Sequence, residues 1–251
     1  MGMLAGTLLW SWLAVAAQAG PRCLLLYEGR PAPSGEGYLS ARFIANLLGH
    51  FDAQWEMRSL EEYRKGDALR YDVVFYAPVP GRPKFPPGFL EDAATTPRTF
   101  VWLARHISDL LREGRAEQLG FNYIGEDDDE DTVVIYRDLA LPKDDPELHQ
   151  VGVLDSSRVR VHALARNSSG VVYPYALQSG NFWFFADSPF SFAVGGDRYL
   201  VFCDLLHDIL RQPHPNAPGR RAMVRIEDVS ADQDPADLRA IADYLASQDI
   251  P

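Results

Sequence analysis

Three short apolar runs limit the fold of this chain more than any other feature. They are Cys23–Tyr27, Asp72–Tyr76 and Thr99–Leu103. Each is too short for a buried helix and shows no polar alternation, so each is predicted to be a strand covered on both faces. Between them lie helix-period segments. Tyr38–Leu48 carries Leu39, Phe43, Ala45, Leu47 and Leu48, with Gly49 as its stop, and Phe89–Ala94 and Ile107–Gln118 complete the set. Strand, helix and strand in alternation, joined by short connections, predict right-handed crossovers and a mainly parallel sheet.

The pattern changes after Gln118. Phe121–Ile124 and Thr132–Tyr136 are predicted to be short strands on either side of the acidic run Glu126–Asp131. Arg158–Ala165 alternates Val159, Val161 and Ala163 with Arg158, Arg160 and His162, the mark of a half-exposed strand. Val171–Leu177 and Asn181–Ala186, separated by Gln178-Ser179-Gly180, form a hairpin pattern. The expectation is an antiparallel β extension on the α/β layer, closed by a helix over Asp197–Arg211 whose apolar positions are Tyr199, Phe202, Leu205, Leu206, Ile209 and Leu210. Pro213–Arg221, rich in proline, is then a linker. A strand over Ala222–Val229 and a helix opened by Asp234-Pro235 follow it. A strand and one helix bury too little to fold alone, so 222–251 is expected to be the beginning of a second domain.

Residues 1–19 stand apart. Met3–Ala17 is apolar and uncharged, and Ala17-Gln18-Ala19 is a small-x-small cleavage pattern, so the segment reads as a signal peptide of an exported protein. It has no basic residue near its start, which leaves an uncleaved anchor or a misplaced start as the alternative. Across the whole chain 35 acidic residues face 24 basic ones, a net charge of −11 that repels phosphate backbones and argues against nucleic acid as a partner. Export would permit a disulfide between Cys23 and Cys203, but both lie in apolar runs and fit small core residues better.

The strand–helix order of the domain over residues 20–212 resembles flavodoxin-like and class I glutamine-amidotransferase-like folds. An active amidotransferase needs a cysteine on a tight strand-to-helix turn with a histidine in reach. Cys203 and His207 share one stretch of helix and do not meet that need. Three weaker features have two readings each. The loop Gly29–Gly37 is a phosphate cradle or a plain connection. The run Glu126–Asp131 is a calcium loop or a solvated turn, and it lacks the spacing and central glycine of a calcium loop. The aromatic set Tyr173, Tyr175, Phe182, Trp183, Phe184, Phe185, Phe190 and Phe192 is a sugar platform or core.

Arg225-Ile226-Glu227-Asp228-Val229 places two carboxylates at the end of a predicted strand. They are a metal-and-base pair or an acidic turn. Arg221–Leu245, together with Asn181–Phe190 and Asp197–Asp208, resembles an uncharacterised bacterial family of the polysaccharide deacetylase superfamily. The resemblance implies a (β/α) barrel beginning at residue 222. It also implies Glu227 as catalytic base and Asp228 as ligand of a divalent, zinc-like metal in the complete protein. The implied substrate is an acetylated glycan of the cell envelope, with the membrane touched only through the signal peptide. The family has aspartate where Glu227 stands, and its metal-binding histidine pair would fall downstream of Pro251. His207 and His214 lie upstream and are not that pair. On this reading the 251-residue chain is itself inactive, and the alternative is a non-catalytic envelope binding or scaffold module.

Overall fold

A computed structural model describes residues 20–29, 35–129, 132–143, 147–190, 199–214 and 234–248. The chain divides into two compact units, Met1–Gln212 and Pro213–Pro251. In the first unit the strands and helices, in chain order, are β1 (Arg22–Tyr27), α1 (Glu36–Leu48), β2 (Gln54–Ser59), β3 (Val73–Ala77), α2 (Phe89–Thr95) and β4 (Thr99–Leu103). There follow α3 (Ile107–Leu110), α4 (Arg115–Leu119), β5 (Phe121–Asp127), β6 (Val133–Tyr136), β7 (Leu139–Pro142) and β8 (Leu148–Val153). The unit closes with β9 (Val159–Arg166), β10 (Val172–Ser179), β11 (Phe182–Phe185) and α5 (Tyr199–Ile209).

Among the described residues the main sheet runs β2-β1-β3-β4-β11-β10-β9-β6-β7. Its first five strands are parallel and the rest antiparallel. The fold is α/β with flavodoxin-like order over β2-β1-β3-β4-β11, extended by antiparallel strands. β11 joins the two halves, because the turn at Gly180 (φ 57) sends the chain from β10 back alongside β4. The three apolar runs lie at the centre of this sheet and are buried almost throughout. Successive residues point to opposite faces. Phe75 and Phe185 therefore meet Phe202 of α5, while Tyr76 and Phe100 meet Phe89 of α2. β5 and β8 pair in a separate two-stranded sheet, and Phe121 of β5 stacks on Phe182 and Phe184.

Several local expectations are corrected. Ile107–Gln118 is not one helix. Glu113 (φ 58) and Gly114 (φ 79) adopt left-handed backbone and split it into α3 and α4. α1 buries Ala41, Ile44, Ala45 and Leu48 and turns Leu39 and Phe43 outward. The strands on either side of the acidic run join different sheets: β5 pairs with β8, and β6 with β7 and β9. β2, in which Trp55 and Met57 alternate with Gln54, Glu56 and Arg58, is held as the sheet edge by its ladder to β1.

In the second unit α6 (Pro235–Ser247) begins with the Asp234 side chain accepting from the Ala236 amide at 2.8 Å. The predicted strand 222–229, and with it the start of a barrel, lies outside the described residues.

Candidate functional site

Parallel α/β sheets present ligands at the carboxyl ends of their strands, where successive crossovers diverge. In this chain those ends are Glu28 after β1, Leu60 after β2, Pro78 after β3, Ala104 after β4 and Asp187 after β11.

The turn after β4 has the shape of a nucleophile elbow. Thr99–Leu103 runs buried into Ala104 at φ 52, and His106 at φ 64 opens α3. Left-handed backbone at a residue other than glycine costs about 1–2 kcal/mol, so surrounding bonds must hold it. The Ala104 amide donates to the Phe185 carbonyl at 2.7 Å, and the Trp102 indole donates to the Arg105 carbonyl at 2.7 Å. His106 Nε2 lies 2.9 Å from the Val79 carbonyl oxygen. An elbow of this kind aims a Ser or Cys at substrate. Here it carries only a methyl group.

Beside Ala104 a cleft of about 30 Å³ is lined by Ser40, Arg105, Glu147, Asp187 and Ser188, space for about two waters. Arg105 pairs with Glu147, and Glu147 also meets His149 Nε2 at 2.5 Å. Lys143, fully buried, lies 3.5 Å from Asp187, which accepts from the Tyr175 hydroxyl at 2.6 Å. Buried charges that pair with one another hold elements in place. These bonds tie β8, β10 and the ends of β4 and β11 together.

A second group lies at the ends of β1 and β3. Glu28 accepts from the Tyr76 hydroxyl and from the Val79 amide at 3.2 Å, and its carboxylate is 3.7 Å from His106 Nε2. Burial opposes charge on His106, but the bond to Glu28, that carboxylate's charge and the Val79 carbonyl together raise its pKa above the ordinary 6.5. Burial, then the Glu28 charge, drives the Tyr76 phenol well above its usual range. Gly37 allows α1 to approach this corner, since a Cβ there would stand 2.7 Å from the Glu28 carbonyl oxygen.

The sequence-derived candidates fare differently. Glu227 and Asp228 lie outside the described residues, as do residues 30–34 of the Gly29–Gly37 loop and Phe192. Cys203 lies on α5, far along the chain from the elbow, and Cys23 lies in β1. Both thiols are free. Burial, with Asp72 nearby, pushes Cys23 up to about 12. Burial pushes Cys203 up to about 11. His207 packs edge-on against Phe51 at 4.8 Å. In the acidic run, Asp127 accepts from Gln150 and Asn167, and Asp129 accepts from the Ser168 amide and hydroxyl, so these carboxylates pin the β9–β10 turn. Phe182, Trp183, Phe184, Phe185, Phe190 and Tyr175 are core, as alternation within a covered strand demands. Glu28, Tyr76, Ala104 and His106 escaped the sequence reading. The available signal was their position, immediately at or after apolar runs that form parallel strands.

A scan of protein-family models finds no match to this chain, and no curated protein sequence matches it. Solved structures do match. A ThuA-like protein from Bacteroides uniformis aligns with a TM-score of 0.51 at 12% identity, covering 77% of this chain and 93% of that one. The α-L-fucosidase isoenzyme 2 of Paenibacillus thiaminolyticus aligns with a TM-score of 0.52 at 15% identity, covering 75% of this chain and 32% of that one. A glutamine amidotransferase from Thermotoga maritima aligns more loosely, with a TM-score of 0.39 at 10% identity over 65% of this chain and 74% of that one. Likeness at such identities establishes the fold alone.

Proposed function

We propose that residues 20–212 form a non-catalytic accessory module of an exported protein that acts on a cell-envelope glycan. Ala104 carries this reading. The fold keeps the strained strand-to-helix turn on which an amidotransferase-like enzyme mounts its nucleophile, and a methyl group occupies it. The two thiols, with pKa values of about 12 and 11, are protonated at neutral pH and cannot substitute for it. The glycan setting draws support from the fucosidase, which shares this fold over part of its length. The apolar, uncharged segment at 1–19 supports export.

The chemistry, on this proposal, belongs to the deacetylase-like domain that begins at residue 222. Glu227 would take a proton from water, and Asp228 would help hold a zinc-like divalent metal. The metal would lower the pKa of bound water and polarise the acetyl carbonyl. Among the described residues no three His, Cys, Asp or Glu side chains gather to hold such an ion.

Incubation of the 251-residue protein with glutamine, p-nitrophenyl acetate and N-acetylated chitooligosaccharides, with and without Zn²⁺, is expected to release neither ammonia, nitrophenol nor acetate above the blank. Turnover that disappears on substitution at the β4 turn would overturn the non-catalytic assignment. In a chain extended through the deacetylase-like domain, Asp228→Asn is expected to abolish zinc-dependent acetate release. An extended chain with no such activity would leave the module as an envelope scaffold.

A further inference from the structure

A crevice of about 240 Å³ opens outside the carboxyl ends of β1, β2 and β3, where the β1 and β3 connections diverge. This is the position at which open α/β sheets bind ligands, and it is separate from the cleft beside Ala104. At its floor is Glu28, whose side chain is only 10% exposed. Tyr76 and the Val79 amide each donate to that carboxylate, and His106 stands 3.7 Å away. A carboxylate has about four lone-pair positions, so these neighbours fix its orientation and leave capacity for one more donor. An acceptor held by packed, hydrogen-bonded neighbours is how a binding group is preorganised.

The rest of the lining selects the ligand. Glu28 and Glu61 are matched by Arg82 and Lys84, so the crevice carries no net charge and favours neither anion nor cation. Val79, Pro80 and Pro83 add an apolar wall against which C–H groups can pack. The volume falls below the roughly 300–1,000 Å³ of drug-sized sites, so it takes one ring and not a chain.

We propose that this crevice binds a single neutral sugar ring, with Glu28 accepting from a ring hydroxyl and Arg82 and Lys84 donating from the rim. The proposal rests on the glycan setting proposed above.

The test is titration of the full chain with glucose, galactose, xylose and N-acetylglucosamine, followed by calorimetry or ligand-observed NMR, with glucuronate and glucosamine as charged counterparts. Saturable millimolar binding of at least one neutral sugar is expected, with the charged counterparts weaker. Glu28→Gln is expected to weaken binding roughly tenfold, the loss of one charge-assisted hydrogen bond. Should thermal melting show that variant unfolded, Pro83→Trp blocks the crevice from its rim without touching the Glu28 bonds and is expected to abolish binding. No saturable binding by any neutral sugar, tighter binding of a charged counterpart, or binding unchanged in Pro83→Trp would each overturn the site. The non-catalytic reading is judged on turnover alone and would survive that failure.

Discussion

His106 illustrates how much a single residue's position decides. Its left-handed backbone swings the imidazole back over the sheet end, toward Glu28 and the Val79 carbonyl. The folded pKa is raised, so the protonated pair stabilises the protein fully below the unfolded value near 6.5 and loses that contribution as pH rises through the folded value. An NMR titration is expected to place the His106 midpoint above 6.5, and Glu28→Gln to lower it. A midpoint at or below the free-histidine value would contradict the pairing. The thiols offer a second test. With Cys23 near 12 and Cys203 near 11, iodoacetamide at pH 8 is expected to modify neither at an appreciable rate until denaturant is added. Rapid labelling of either in the native protein would show a thiolate that burial should suppress. Gly37→Ala is expected to destabilise the fold by about 1–3 kcal/mol, read as a lower denaturation midpoint, because the added carbon meets the Glu28 backbone.

At the scale of elements, α5 and β11 show packing that binary patterns anticipate. Tyr199–Ile209 repeats apolar residues at helical spacing and buries Val201, Phe202, Leu205, Leu206 and Ile209. Phe202 touches Phe75, Phe185 and Phe190, linking two parallel strands to the segment after β11. Phe202→Ala is expected to cost about 3–5 kcal/mol, measured by chemical denaturation, since no neighbour can fill the space. A cost under 1 kcal/mol would mean that α5 is not seated as described. The split of Ile107–Gln118 into α3 and α4 carries the opposite lesson. Its apolar spacing suits one helix, but Arg115 Nε donates to the Leu110 carbonyl at 2.6 Å, and the bend at Glu113 and Gly114 makes that bond.

On the scale of the whole molecule, the core among the described residues runs from Cys23 to Leu210, within the first compact unit. A product ending at Gln212, made by truncation, is expected to unfold cooperatively in chemical denaturation, because it holds the whole first compact unit. Loss of cooperative unfolding in that product would show that the second unit contributes to the first. The described part of the second unit, α6, has no buried residue, and Ile241 and Tyr244 are exposed on it.

The parallel centre of the fold was legible because three runs are apolar on both faces, and only a covered sheet suits such runs. The hairpin at Gly180 and the cap at Asp234 were legible too, since turn and cap chemistry is local. β2 and β8 were not, because their ladders to β1 and β5 form with residues distant in sequence, and β7 was not, because its pairing with β6 turns at Arg137 and Asp138 without a glycine to mark the hairpin. The metal reading rested on Glu227 and Asp228, adjacent in sequence and therefore visible as a pair. The crevice group had no such advantage. Glu28, Tyr76 and His106 are separated by 48 and 30 positions and meet only because β1, β3 and β4 lie side by side with their carboxyl ends level. Strand pairing is a long-range choice, so only the tertiary structure could bring those three side chains to one place.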